Sequence, residues 1–170
     1  VEMDVANIKA VVDAIKTQTD KMLFSMDFWS DPVEEVVITA AQVTTVLSTI
    51  VVAGLPAGAN VVRAIGMMMF RMVENINAAE NSLDCTAVQP IQVDDSGASG
   101  YVTAIDFVDE QFKIAPNTRE GGVAIIGDND IAGRVVGNDT YSVQWLNRIA
   151  HLASIQLNDV QFGLRIWYSV

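Results

Sequence analysis

Within the C-terminal stretch SIQLNDVQFGLRIWYSV (residues 154–170), residues 160–170 alternate between apolar and other side chains with a period of two. The apolar set is Val160, Phe162, Leu164, Ile166, Tyr168 and Val170, and the intervening set is Gln161, Gly163, Arg165, Trp167 and Ser169. Successive side chains of a strand point to opposite faces of a sheet, so this alternation predicts a strand with one buried face. We predict that it is the last strand of a β domain.

Earlier segments carry the same kind of signal. EVVIT (35–39) and VTTVLSTIVVAG (43–54) are rich in Val, Ile and Thr, which suit a pleated, half-buried surface, and the turn signal LPAGA (55–59) follows them. The next segment, NVVRAIGMMMFRMVENI (60–76), fits a helix and a strand equally well by periodicity. We predict a long strand, because a strand and a turn precede it and because Gly66 weakens a helix.

The remaining segments complete a mainly β fold. TAIDFVDEQF (103–112) is predicted as one short helix, with Thr103 and Asp106 as its capping box. DIAGRVV (130–136) and TYSVQW (140–145) are predicted as strands on either side of a GND turn. Several strands separated by Gly, Asn, Asp and Pro turns predict an antiparallel β-sandwich over residues 31–170, jelly-roll-like with about eight strands.

The N-terminal segment DVANIKAVVDAIKTQTDKMLF (4–24) has a different period, with apolar residues in steps of four and three from Val1 onward. That spacing is the heptad repeat of a coiled coil. The positions predicted to line the oligomer interface are Val5, Ile8, Val12, Ile15, Thr19, Met22 and Met26. β-branched residues at both core positions of the heptad favour three strands over two. We predict a trimeric helix over residues 1–30, and the alternative is an amphipathic helix folded back on its own domain.

Composition supports self-association. Hydrophobic residues make up 51 % of the 170 residues and charged residues only 18 %, which is apolar for the surface of a soluble monomer. We therefore expect part of the surface to be buried against other copies, so the predicted assembly is a homotrimer. The chain begins at Val1 rather than at methionine, so we also expect it to be processed or trimmed.

The same composition excludes two classes of partner. The net charge of −11 would repel the phosphates of DNA or RNA, so no nucleic acid is expected as a partner. The longest apolar stretch, VLSTIVVAGLPAGANVV (46–62), is interrupted by Pro56 and two glycines. It cannot supply the roughly 20 apolar residues of a membrane span, and no membrane partner is expected.

Catalytic and cofactor signals are weak. Metal sites built from histidine and cysteine need clustered ligands, whereas Cys85 and His151 are single residues far apart in the sequence. We interpret Cys85 as a small buried apolar group and His151 as a packed or hydrogen-bonded residue. The sequence has no P-loop, dinucleotide fingerprint or nucleophile elbow. We therefore predict no catalytic residue, no cofactor and no enzymatic activity.

Acidic pairs are the remaining metal candidates. Asp94 and Asp95, Asp128 and Asp130, and Asp139 lie in turn-like segments whose carboxylates could offer oxygen ligands to calcium. Neither segment matches the twelve-residue loop of an EF-hand. Aspartate is also common in turns because it tolerates their geometry. We therefore predict no metal.

Aromatic residues near the C-terminus suggest a binding surface. Trp145, Trp167 and Tyr168 are candidates for a sugar-stacking platform. The alternation of the last strand places Trp167 on the face opposite Phe162 and Ile166, so we expect Trp167 to point outward. An outward aromatic residue would either stack on a glycan or be covered by a neighbouring subunit, and we favour the subunit.

The segment IKAVVDAIKTQTDKM (8–22) resembles the short coiled-coil stalks of pattern IKxxVDxIKxxTD that occur in bacteriophage virion proteins and in some bacterial surface proteins. The resemblance implies a structural virion component, such as a head fibre, a decoration protein or a tail-associated spike. Other virion proteins would then be partners and the virion the location. The alternative is a glycan- or receptor-binding adhesion module on a fibre, or on a bacterial or archaeal cell surface, with a host glycan as partner.

Overall fold

The computed structural model describes residues 5–19, 22–38, 43–75, 81–84, 91–106, 111–114, 118–147 and 155–170. These residues form one helix and eleven strands. In chain order they are α1 (Val5–Thr19), β1 (Phe24–Trp29), β2 (Val33–Ile38), β3 (Val43–Val52), β4 (Asn60–Asn75), β5 (Asn81–Asp84), β6 (Ile91–Asp94), β7 (Val102–Ile105), β8 (Gln111–Ile114), β9 (Thr118–Ile126), β10 (Asp139–Asn147) and β11 (Ile155–Ser169).

Two antiparallel sheets dominate the fold. The first has the order β1-β11-β4-β9, and β2 also pairs with β11. The second has the order β3-β10-β6-β7, and β5 pairs with β8 in a separate two-stranded sheet. β11 is long enough to pair with β2 along residues 155–160 and with β1 along residues 163–168. At the junction of β1 and β2, the Ser30 amide donates to the Phe162 carbonyl at 2.8 Å, and the Ser30 hydroxyl accepts from the Phe162 amide at 3.1 Å.

The hydrophobic core lies between the two large sheets. Ala64 and Met68 of β4 are fully buried in one cluster with Tyr141 and Val143 of β10. Gly66 shows how close the sheets come, because a Cβ added there would lie 2.7 Å from the Cβ of Ala104 in β7. The even-numbered residues 160–168 of β11 are buried in this core, as the period-two pattern predicts.

Several sequence predictions for individual strands are confirmed. β3, β10 and β11 coincide with predicted strands, and β11 begins five residues before Val160. The ambiguous segment 60–76 forms the 16-residue strand β4. The fold is mainly β, as predicted, with two antiparallel sheets and a single short helix among the described residues.

Two local predictions are wrong. The predicted helix over residues 103–112 is replaced by the ends of β7 and β8, with residues 107–110 outside the described part. Ala104 and Ile105 are both buried, so burial against the sheets outweighs the weak capping signal.

The predicted strand over 130–136 is a turn. The Ala64 and Ala132 amides donate to the Asp130 carboxylate, and the Val135 amide donates to the Ile131 carbonyl.

The predicted long N-terminal helix is also wrong in extent. α1 ends at Thr19, Met22 follows it outside any regular element, and Met26 lies in β1. Met26 pairs with Ile166 of β11 and packs against the core, so residues 24–29 belong to the sandwich rather than to the predicted helix over 1–30. Met26 fits the heptad pattern, but the burial that it gains beside β11 explains why the helix does not extend to it. Cys85 and His151 lie outside the described residues.

Candidate functional site

Helix α1 presents an apolar stripe to solvent. Val5, Ile8, Val12 and Ile15 are 79, 43, 55 and 60 % exposed. These side chains are exposed, so a helix folded back with this stripe buried against its own domain does not describe this structure. A free 15-residue helix is marginal in water, and the exposed Lys9–Asp13 pair at i and i+4 adds only about 0.2–0.5 kcal/mol. The stripe is therefore a candidate contact surface for another chain.

A second surface lies on the outward face of the first sheet. Its residues, here called the outer patch, come from β1, β11, β4 and the end of β9. They are Asp27, Trp29, Arg63, Ile65, Met67, Ile126, Gly163, Arg165 and Trp167. The strand registers arrange most of them in two rows across the sheet. Trp29 lies opposite Gly163, which is opposite Met67, which is opposite Ile126, and the next row is Asp27, Arg165 and Ile65.

Trp29 covers Gly163. A Cβ added at Gly163 would lie 2.8–3.0 Å from three atoms of the six-membered ring of Trp29, closer than such atoms approach. Only glycine therefore leaves room for the indole at this point of β11. Trp29 remains 37 % exposed, so part of the indole is open to a ligand or a partner.

Arg165 and Asp27 form a two-point ion pair in the middle of the patch. The Arg165 Nε and Nη2 atoms donate to Asp27 Oδ1 and Oδ2, each at 2.7 Å. Such fork-to-fork pairing has a defined geometry and is stronger than a single hydrogen bond between neutral groups. The hydrogen bond from Arg165 lowers the pKa of Asp27, partial burial opposes that shift, and the same pairing raises the pKa of Arg165.

Arg63 stacks on Trp167 at the end of the patch. The guanidinium carbon lies 5.1 Å from the ring centroid, which is a cation–π contact. Within the described part of the chain, Arg71, Arg119, Arg134 and Arg165 each pair with a carboxylate, whereas Arg63 has this ring contact instead. Its guanidinium donors remain available to an acidic group from outside the chain.

The outward face of the second sheet has a different character. Thr49, Thr140, Ser142 and Gln144 point away from the core there, and Gln144 donates from Nε2 to Oε1 of Gln92 at 2.7 Å. Val51, which is 59 % exposed, is an apolar exception on this face. The two outward faces therefore differ in chemistry, and aromatic, methionine and arginine residues concentrate on the first sheet.

The predicted aromatic platform is only partly present. Trp145 is 1 % exposed and Tyr168 is 7 % exposed, so both belong to the core and cannot stack on a sugar. Trp167 points outward, as predicted. Trp29 is a second partly exposed aromatic residue on the same face, which the sequence prediction missed. The alternation in FSMDFW (24–29), with Met26 and Phe28 inward, was the available signal, and the heptad interpretation obscured it.

The acidic turns are occupied by internal contacts. Asp95 accepts from Arg134 Nη1 at 2.9 Å and from the Ser99 hydroxyl at 3.1 Å, and Arg134 is the main cause of the lowered pKa of Asp95. The side-chain hydrogen bond from Ser96 is the main cause of the lowered pKa of Asp139, and the Thr140 and Ser96 amides, which donate to the same carboxylate, lower it further. No group of three or more His, Cys, Asp or Glu side chains suited to a metal is found among the described residues.

A cavity of about 320 Å³ adjoins these turns. Its lining comprises Val102, Thr103, Asn129, Asp130, Ile131, Gly133 and Arg134. Arg134 Nε is buried without a hydrogen-bond partner, and its other donors tie the 130–136 turn to Asp95 and to the Ser99 carbonyl. The cluster therefore joins loops structurally.

No protein-family profile and no curated protein matches the chain. Among solved structures, it is similar to the Eiger TNF of S. frugiperda, with 8 % identity, coverage of 86 % of this chain and 92 % of that chain, and a TM-score of 0.37. It is also similar to the cyanophage Pam1 capsid asymmetric unit, with 16 % identity, coverage of 87 % and 86 %, and a TM-score of 0.32. A carbohydrate-binding module of the Cellvibrio mixtus lichenase 5A, in complex with cellotriose, has 10 % identity, coverage of 76 % and 97 %, and a TM-score of 0.25. At these TM-scores the likenesses assign no function.

Within the described part of the chain, no helix has both the length and the apolarity that crossing a membrane requires.

Proposed function

We propose that this chain is a non-enzymatic structural component of a virus or phage particle and that it assembles as a homotrimer. The observation that carries the proposal is the apolar stripe of α1, which is exposed although a lone helix of this length is marginal in water. Packing against identical helices would bury Val5, Ile8, Val12 and Ile15 together. β-branched residues at both heptad core positions favour three helices over two.

The β domain supports the particle assignment. Along the chain, β2, β4, β9 and β11 belong to the first sheet and β3, β6, β7 and β10 to the second, so the path crosses repeatedly between sheets. This order supports the proposed jelly-roll-like sandwich, an architecture used in viral capsids and in lectins. Together with the stalk resemblance, it favours a virion component with other virion proteins as partners.

A second candidate function is glycan binding at a particle or cell surface. Trp29 and Trp167 are both partly exposed on one face of the first sheet, and exposed indoles can stack on the apolar faces of sugars. The two candidates differ in what covers this face, another subunit or a glycan.

The first experiment tests the helix. Ile8→Asp would place three carboxylates around one dry seam, and burying unpaired charge costs several kcal/mol per ion. We expect the dissociation constant of the assembly, measured by sedimentation, to rise at least a hundredfold, with the β signal in circular dichroism retained. Ala10→Asp is the matched control, because it adds the same charge to the exposed opposite side of α1 and should leave the mass unchanged.

A cysteine at Val12 separates two explanations of an unchanged mass in Ile8→Asp. Either the helices meet on a shared axis but do not hold the assembly, or the helices do not meet at all. Val12→Cys, in a Cys85→Ser background, should form disulfide-linked dimers readily if Val12 lines a shared axis. Absence of such dimers in an assembled protein would contradict the coiled coil.

A further inference from the structure

The outer patch has an apolar centre that does not belong to the core. Ile65 and Met67 point away from the other sheet, yet they are only 5 and 3 % exposed. Trp29 over Gly163 lies on one side of Met67 and Ile126 on the other, and Arg165 lies opposite Ile65. Ile126 itself is 60 % exposed, so the apolar row continues to the surface. An incoming surface would therefore meet an indole, an isoleucine and two arginines on a preformed sheet.

This composition is that of a protein–protein contact. Interface centres are enriched in aromatic residues, methionine and arginine and depleted in lysine and glutamate. The outer patch contains two tryptophans and two arginines that reach the surface, and it contains no lysine or glutamate. The polar outward face of the second sheet lacks this combination in its described part.

Charge favours a second copy of this chain as the partner. Arg63, Arg165 and Asp27 give the patch one net positive charge, whereas the whole chain carries −11. The rest of the surface is consequently acidic, and it offers carboxylates to Arg63, which already stacks on Trp167. In a three-fold assembly each contact joins two different surfaces of neighbouring copies, so a positive patch can meet an acidic surface.

Proximity favours the same partner. Five Cα steps separate Thr19, the end of α1, from Phe24, the start of β1, and they span at most about 18 Å. Three packed helices would therefore hold three β1 strands within a short distance of one another. Such tethering gives the sandwiches a high effective concentration, at which a weak contact between them becomes populated.

We propose that the outer patch, centred on Trp29 and Ile126 and flanked by Arg63 and Arg165, is the surface through which the sandwich of one copy contacts a second copy. This inference rests on the proposed self-assembly and names its second contact.

The test uses the full chain and a matched pair of substitutions. Ile126→Glu places a charge on the patch, and Val51→Glu places the same charge at an equally exposed strand position, 59 against 60 %, on the other sheet. We expect Ile126→Glu and Arg63→Glu each to raise the dissociation constant of the assembly at least tenfold, and Val51→Glu to change it less than threefold. Equal effects of Ile126→Glu and Val51→Glu would overturn the inference.

Hydroxyl-radical footprinting separates the patch from the helix. In the assembled Ala10→Asp protein, oxidation of Trp29 and Trp167 should be at least threefold slower than in monomeric Ile8→Asp. An assembled protein in which both tryptophans react as fast as in the monomer would overturn the patch inference and leave helix-driven assembly standing. If the unmodified chain is a monomer, both proposals fail.

Two further outcomes decide as well. If Ile8→Asp is still assembled, adding Ile126→Glu must dissociate it, and continued assembly overturns the inference. If tryptophans that stay reactive in the assembled protein become protected by a soluble polysaccharide such as dextran or polygalacturonate, the patch is a glycan site rather than a subunit contact.

Discussion

Gly163 illustrates how a single missing side chain shapes the surface of this protein. The alternation of the last strand places this glycine on the outward face, but it does not predict which residue packs over it. The structure places the indole of Trp29, 134 positions away in the chain, directly over it. Such a contact depends on the pairing of β1 with β11, which no local pattern specifies.

Gly163→Ala should therefore destabilise the sandwich. The added Cβ would lie within 3.0 Å of three ring atoms, and overpacking of this kind costs about 1–3 kcal/mol. Urea unfolding should detect the loss. In a Trp29→Ala background the same change should cost less than about 0.5 kcal/mol, because the clash is gone. Gly133→Ala, where nothing lies within 4 Å of the new Cβ, is the control and should be near neutral. Equal losses with and without Trp29 would refute the contact.

At the scale of elements, the sequence indicated the long strands but misjudged the boundary between helix and sandwich. Alternation identified the second half of β11, whereas periodicity left β4 open between helix and strand, and the preceding strand, the turn and Gly66 favoured a strand. Met26 fits both periods, as a heptad core position and as an inward residue of a strand. Pairing with Ile166 decided between them, and that choice depends on the far end of the chain. The turn at 130–136 was missed because it depends on the Asp130 carboxylate, which accepts from the Ala64 amide of the distant strand β4 as well as from the Ala132 amide.

Two methionines in the former heptad test this boundary. Met26→Asp puts a charge against the sandwich core, whereas Met22→Asp alters a side chain that is 53 % exposed between α1 and β1. We expect Met26→Asp to cost at least about 2 kcal/mol of unfolding free energy, from lost burial and a desolvated carboxylate. For a chain of this size that lowers the Tm by roughly 4–8 °C. Met22→Asp should leave the Tm within about 2 °C. If Met22→Asp lowered the Tm more than Met26→Asp, Met26 would belong to the helix rather than to β1.

For the whole molecule, composition predicted self-association, but it could not locate a contact surface. The prediction of a sandwich needed only local strand signals. The order β1-β11-β4-β9 needed contacts between distant segments, so the grouping of Trp29, Arg63 and Trp167 on one face was not visible in the sequence. The acidic turns show the same limit, because their carboxylates are paired with Arg134 and with backbone amides.

The net charge of −11 and the three lowered aspartate pKa values make opposite contributions to the pH dependence of stability. From pH 7 downward, protonation of carboxylates reduces self-repulsion, which favours the folded state. Asp27, Asp95 and Asp139 have folded-state pKa values below their ordinary 3.8, so the unfolded chain binds protons before the folded chain does. Their contribution is complete above 3.8 and is lost as the pH falls through the folded values.

The free energy of unfolding should therefore be highest near pH 5 and fall steeply below pH 4. Urea titrations at pH 7, 5 and 3 measure this directly. About 0.5 M salt should shrink the gain between pH 7 and pH 5, because it screens repulsion between exposed charges. Asp27→Asn is the matched control for the fall in unfolding free energy below pH 4. It should destabilise by up to about 1 kcal/mol at pH 7, where the half-exposed pair with Arg165 is formed, and by less at pH 2, where more of the Asp27 carboxyl is protonated. A loss that is the same at both pH values would show that the ion pair does not contribute to the acid lability.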